Sequence, residues 1–226
     1  MARITLTGVD ERTPLDRLVQ LTKTYPQVEL AVLFTETPEG RNRYPSINWV
    51  AEFISAVGQQ AAIHLCGRAS VESVLDGCYP LFQSVGRLQV NGKITEEELR
   101  QFLALPYEET ERLYGFTTVI TQWSRRNTSL LDVDIRGHCL LVDTSGGRGI
   151  SPELWERPIT SKPVGFAGGL SYSNFHLELP KIQVVAVHPW WVDMEASLRT
   201  EDDWFSIEIA ERTVERFLEL VERFHV

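Results

Sequence analysis

At 226 residues, 43% of them hydrophobic and 23% charged, the chain has the composition of a globular protein with one large core, and this excludes a disordered or fibrous chain. A formal net charge of −9 with no Lys/Arg run argues against nucleic acid as a partner, because binding to a phosphate backbone needs a concentrated basic surface. A small anion held by backbone amides remains compatible with that charge. The opening Met1-Ala2-Arg3-Ile4 carries no long apolar stretch, and no segment approaches the roughly 20 apolar residues of a membrane span, so a cytoplasmic protein without a membrane partner is expected. Cys66, Cys78 and Cys139 form no CxxC pattern, which predicts free thiols and no metal site.

In chain order, Arg3 to Thr7 alternates as a short strand, and Thr13-Pro14-Leu15-Asp16 offers an N-cap and first-turn proline for a helix running to about Thr24. Val28 to Phe34 is a nearly continuous apolar run, the mark of a strand covered on both faces. After a polar loop, Ile47, Val50, Ile54 and Val57 recur at helical spacing between Ser46 and a stop at Gly58. The same alternation continues with a strand at Ala61–Cys66, a helix containing Val71, Val74 and Leu75, and a strand at Arg87–Val90. Thr95 and Glu98 then form a capping box ahead of Leu99, Phe102 and Leu103.

Pro106 to Tyr114 reads as an acidic connector, Phe116 to Thr121 as a strand, and Ser124 to Asp134 as a short, weak helix. The apolar run from Cys139 to Val142 ends at Asp143 and enters Gly146-Gly147-Arg148-Gly149. A short helix is expected before the next strand, which empties into Ala167-Gly168-Gly169-Leu170. Ile182–Val187 and Trp190–Met194 compete to be the last strand, and Ile209, Val214, Phe217, Leu218 and Val221 mark a closing helix. Eight strands alternating with helices in this length imply one closed parallel barrel, a (β/α)8 TIM barrel spanning residues 1–226.

Paired glycines let backbone amides approach a ligand closely, and pairs after the sixth and seventh strands fall where barrel enzymes commonly hold phosphate. Gly146, Gly147, Gly168 and Gly169 are therefore either phosphate-binding amides or tight turns. Asp143, at a strand end, is either an acid at the pocket rim or the cap of the next helix. Arg43 either clamps an anionic group with its planar fork or decorates a charged loop, and Arg125 and Arg126 either reach the same pocket or form a solvated helix start. His64 and Cys66 are taken to face opposite sides of their strand, which argues against a Cys–His pair. His188, Asp193 and Glu195 include ligand types but no third donor at a familiar metal spacing, while Glu195 should point with Asp193 to the barrel mouth.

Several short stretches share a pattern. Ile4-Thr5-Leu6-Thr7-Gly8 matches an opening Lys-Ile-Cys-Gly strand, Arg43-Tyr44-Pro45-Ser46 a Ser-Pro-Arg-Tyr-Val loop, and Leu88-Gln89-Val90-Asn91-Gly92 a Val-Gln-Leu-His-Gly strand. Leu141-Val142-Asp143, with Gly146-Gly147-Arg148-Gly149 and Trp155, follows Leu-Asp, Gly-Gly-Thr-Gly and Phe-Asp-Trp. Ala167-Gly168-Gly169-Leu170 is identical to a seventh-strand turn, and Pro189 to Ser197 parallels Pro-x-Gly-Val-Asp-Val-Ser-Ser-Gly. In order and spacing these stretches resemble the phosphoribosylanthranilate isomerase family, of the ribulose-phosphate-binding barrels, and the last match places the eighth strand near Trp191 to Glu195.

The resemblance implies an Amadori rearrangement, in which an acid protonates the ring oxygen of an aminoaldose phosphate while a base removes the C2 proton. It assigns the acid to Asp143, an anion-orienting role to Arg43, and phosphate contacts to the glycine pairs with Ala196 and Ser197. The position of the family's catalytic cysteine is Thr7, a neutral hydroxyl that is no base near pH 7, and Asn91 replaces a histidine beside the substrate. Glu195, Cys66 and Asp10 are the candidate replacements for the base. No cofactor is implied, and the chain is expected to be a monomer or homodimer. Two readings stay open: an isomerase of a small phosphorylated, sugar-derived metabolite, or a binding protein derived from that family which holds such a ligand without turnover.

Overall fold

Eight strands, β1 (Arg3–Thr7), β2 (Val28–Phe34), β3 (Ala61–Cys66), β4 (Arg87–Asn91), β5 (Val119–Trp123), β6 (His138–Asp143), β7 (Val164–Ala167) and β8 (Trp190–Met194), pair in sequence order, and β8 closes on β1. All eight pairings are parallel. The computed structural model describes residues 2–38, 40–104, 116–124, 128–143 and 148–223. The acidic connector Pro106–Tyr114, Arg125 and Arg126, and Gly146 and Gly147 lie outside the described residues.

Six helices among the described residues cover the barrel: α1 (Leu15–Thr24), α2 (Ile47–Val57), α3 (Arg68–Leu75), α4 (Glu96–Ala104), α5 (Phe175–Val185) and α6 (Ile207–Arg223). Their ends follow local chemistry. Gly58 ends α2 at φ +66°, a conformation that a side chain resists. The capping box at α4 is formed in both directions, with the Glu98 N–H donating to Thr95 Oγ1 at 3.2 Å and the Thr95 N–H to Glu98 Oε2 at 2.8 Å. At α1 the cap position is Pro14 rather than Thr13, and no side-chain cap bond forms.

Ile182 belongs to α5, and Trp190–Met194 is the eighth strand. The two weak helices expected around β6 are absent from the described residues: 128–134 form turns, and 148–163 run as irregular chain. Pro152, Pro158 and Pro163 break up the second segment, and its Leu154 and Ile159 are exposed, so it has no apolar face to lay on the barrel. Trp155 anchors it instead, packing against Phe166 at 6.1 Å and donating its indole N–H to Glu178 of α5 at 2.7 Å.

The strands separate two interiors. Outward residues such as Ile4, Leu6, Val192 and Trp190 join the helices in the main apolar core, whereas inward residues fill the barrel itself. There, Ile120, Cys139, Leu141 and Trp191 make a small separate cluster. Beside it Arg87 and Glu29 form a buried pair at 2.6 Å (Nε to Oε2) and 2.5 Å (Nη2 to Oε1), Thr5 bridges the two, and the guanidinium lies 4.4 Å from the Trp191 ring centre. Trp191 fits only because Gly165 faces it, since a Cβ there would come within 2.1 Å of the indole. These side chains fill the N-terminal end of the barrel, and a space is left at the other.

Candidate functional site

That space is a cavity of about 360 Å3 at the C-terminal ends of the strands, where βα loops carry the chemistry of such barrels. Thr7, Asn91, Asp143, Glu195 and Arg43 line it, as do Gly168, Gly169, Ala196 and Ser197. Strand alternation brings Asp193 and Glu195 to the same side, as expected.

The floor is polar and tightly wired. Thr7 Oγ1 donates to Asp193 Oδ1 at 2.6 Å, joining the first strand to the last. Gln89 Nε2 lies 3.4 Å from Asp193 Oδ2, 3.2 Å from His64 Nδ1 and 2.9 Å from Asn91 Oδ1. Burial pushes the Asp193 carboxyl up to about 6, against the pull of the Thr7 hydroxyl and of Arg87. Burial also drives His64 down to about 3, so its ring is neutral. The contact with Gln89 Nε2 assigns Nδ1 as acceptor and the ring proton to Nε2, and neither Nε2 nor Gln89 Oε1 has a partner among the described residues.

His64 and Cys66 share a face, contrary to expectation, because residues two apart on a strand point the same way. They still form no nucleophilic pair: the Cys66 thiol lies 3.5 Å from Asn91 Nδ2, and its hydrogen-bond contact with His64 is to the backbone oxygen. Burial raises the Cys66 pKa and holds it as a thiol. Asp10 is also placed differently from expectation. It is buried outside the cavity, accepting from the Phe205 N–H at 2.7 Å and from Arg199 at 3.1 Å.

Arg43, from the loop after β2, has its fork filled. Nε and Nη2 donate to the two carboxylate oxygens of Asp203 at 3.2 and 2.8 Å, and Nη1 donates to Glu195 at 2.9 Å. Arg199 holds Asp203 in turn at 2.7 Å. Burial raises the Glu195 pKa, which the Arg43 charge opposes.

At the rim, Gly168 (φ +129°) and Gly169 (φ +59°) turn the chain out of β7. Ser151 packs so closely under Gly169 that a Cβ would stand 2.3 Å from its nitrogen. Ser151 Oγ and Asn174 Nδ2 both donate to the Gly169 carbonyl, and Ser197 Oγ donates to the Leu170 carbonyl at 2.7 Å. With these carbonyls engaged, the N–H groups of Gly168, Gly169 and Leu170 have no hydrogen-bond partner among the described residues. Among the described residues, no group of three or more His, Cys, Asp or Glu is arranged to hold a metal ion, and no helix is long and apolar enough to cross a membrane. Cys66, Cys78 and Cys139 are free thiols.

Of the residues the sequence points to, Asp143, Arg43, Glu195, Thr7 and Asn91 line the cavity, whereas Cys66 does not line it and lies behind Asn91 at 3.5 Å. Sequence reasoning did not single out Gln89, His64 or Asp193 as site residues. A signal existed for Asp193, which alternates with Glu195, and for Gln89, which alternates with Asn91.

The fold is that of a (β/α)8 barrel with its polar cavity at the C-terminal mouth. No family model and no curated protein matches the chain. Its structure is similar to those of phosphoribosylanthranilate isomerases. That from Thermus thermophilus superposes with a TM-score of 0.66 at 17% identity, covering 96% of this chain and 99% of that one. TrpF from Jonesia denitrificans gives 0.66 at 12% identity, covering 98% of each. A phosphoribosylanthranilate isomerase in complex with reduced 1-(o-carboxyphenylamino)-1-deoxyribulose 5-phosphate gives 0.61 at 16% identity, covering 97% of this chain and 100% of that one. At these identities the likeness is one of fold.

Proposed function

We propose that the cavity binds a small phosphorylated, sugar-derived ligand and isomerises it by acid–base proton transfer. The phosphate rests on the amides of Gly168 and Gly169, which have no partner among the described residues, with the turn at Ala196 and Ser197 beside them. Asp143 acts as the acid and Asp193 as the base. The observation that carries this reading is the placement of the two aspartates. Asp143 and Asp193 stand opposite Ala167 on either side of β7, hence roughly 10 Å apart along the sheet at the usual strand spacing, over the same cavity. A sugar held between them meets one carboxyl on each side.

In the forward step the base takes the proton from the carbon beside the carbonyl, or beside the ring carbon in a closed aldose, while the acid protonates the oxygen. The base then gives its proton to the neighbouring carbon while the hydroxyl on the first carbon returns a proton to the acid, which completes the isomerisation with no net change in atoms. A carboxyl titrating near 6 suits the base role at neutral pH better than the other candidates do. Glu195 is engaged by Arg43, and Cys66 is held as a thiol.

The test is exchange of the substrate C–H with solvent. Pentose and hexose phosphates are incubated with the protein in D2O and followed by NMR, with Asp143→Asn and Asp193→Asn as controls. Exchange abolished by either substitution supports the reading, and exchange indifferent to both removes these residues from the mechanism. Binding without turnover is the second reading, favoured by Thr7 at the position of the family's base. Ligand-induced thermal stabilisation with no exchange for any sugar phosphate would establish it.

A further inference from the structure

The ionic wiring beside Glu195 bears on what the far end of the ligand can be. Glu195, Arg43, Asp203, Arg199 and Asp10 form a continuous alternating chain, linked at 2.9, 2.8, 2.7 and 3.1 Å. Three carboxylates against two guanidiniums leave a net charge of −1, and the terminal member that reaches the cavity is Glu195. Arg43 also lines the cavity, but three of its N–H directions are already spent on carboxylates. A ligand carboxylate at this end would compete with Glu195 and Asp203 for Arg43. It would also set a second anion beside the half-buried Glu195, an arrangement disfavoured by both repulsion and desolvation.

The floor beside it offers uncharged hydrogen-bonding groups instead. His64 is neutral, neither its Nε2–H nor the Gln89 oxygen has a partner among the described residues, and both residues are over nine-tenths buried and line the same cavity. A donor and an acceptor buried in the floor without partners among the described residues match hydroxyl groups, each of which can accept and donate.

Building on the reading that the Gly168–Gly169 turn holds phosphate, we infer that the phosphate is the ligand's only anionic group. The far end is an uncharged, hydroxyl-bearing chain, recognised by Glu195, His64 and Gln89, and a second carboxylate is refused. Specificity of this kind rests on an unfavourable contact for the wrong ligand as much as on a favourable one for the right ligand.

The test uses a matched pair of probes that differ at one carbon: glucitol 6-phosphate, which ends in an alcohol, and 6-phosphogluconate, which ends in a carboxylate. Calorimetry on the native chain should give at least tenfold tighter binding for the alditol phosphate. Glu195→Gln, which removes the negative charge and frees one side of Arg43, should shrink that preference to threefold or less. Equal or tighter binding of 6-phosphogluconate by the native chain overturns the inference, and so does an unchanged preference in a folded Glu195→Gln variant. Absence of binding by both probes and by inorganic phosphate overturns the phosphate reading itself, and this inference with it.

Discussion

The hydroxyl of Thr7 donates to the Asp193 carboxylate over 2.6 Å, bridging residues 186 positions apart at the floor of the cavity. The bond ties the first strand to the last, so the two positions are best understood together. Oδ2 of the same carboxylate faces Gln89, and Asp143 stands across β7.

Asp193 has a definite pH signature. Its folded carboxyl titrates near 6, above the ordinary 3.8, so the folded state binds this proton more tightly than the unfolded chain does. The stability it contributes is full below about pH 4 and is lost as the pH rises through 6, on the order of 3 kcal/mol in all. Asp193→Asn cannot ionise. Denaturant unfolding should therefore show the variant improving against the native chain by up to that amount between pH 4 and pH 7.5, and a constant difference across the range would refute the assignment.

His64 acts in the opposite sense. Its folded pKa near 3 lies below the ordinary 6.5, so its contribution is present above pH 6.5 and is lost as the pH falls toward 3, on the order of 4–5 kcal/mol. His138, lowered to about 4 by burial, works in the same direction. His64→Gln should move the acid-unfolding midpoint, followed by circular dichroism, to lower pH. A midpoint that stays in place would mean His64 is not buried as a neutral ring.

The Glu29–Arg87 pair beneath the floor should behave as a buried ion pair whose removal by halves is costly. Glu29→Gln leaves the Arg87 charge uncompensated and should lower stability by about 3–5 kcal/mol. Replacing both, as Glu29→Leu with Arg87→Met, should recover much of that loss. Thermal denaturation of the three chains decides it: a double variant no better than Glu29→Gln would contradict a simple pair.

Gly165→Ala should be among the most damaging single-methyl additions in the barrel, because the added carbon would lie 2.1 Å from the Trp191 indole. Overpacking of this kind costs about 1–3 kcal/mol and occasionally more. Trp191→Phe in the same background should return part of it, and urea unfolding of the single and double variants measures both effects.

Much of the fold was legible in the sequence because it follows from local chemistry. Thr95 with Glu98 announced a helix start, Gly58 a helix stop, and the apolar run of Val28–Phe34 a strand buried on both faces. Where short helices are expected, over Ser124–Asp134 and between Gly149 and Pro163, the described residues 128–134 form turns and 148–163 irregular chain, because turn residues, prolines and the anchor Trp155 override a weak pattern. Of the site, Asp143, Glu195 and Arg43 were found from their places at strand ends, in a loop and in a matched motif. The consequence of Arg43's position was not legible, since its partner Asp203 lies 160 residues away.

By itself, then, the sequence determined the alternation of strands and helices, the closed barrel that alternation requires, and the end of the barrel where glycines and acids collect. These depend on period, caps and turn residues, which act over a few positions. Only the tertiary structure decided that Thr7 meets Asp193, that His64 is held neutral beside Gln89, and that Arg43 is spent on Glu195 and Asp203. Those contacts depend on the register of strands far apart in the chain and on burial, and burial is what turns an ordinary aspartate into a group poised near pH 6.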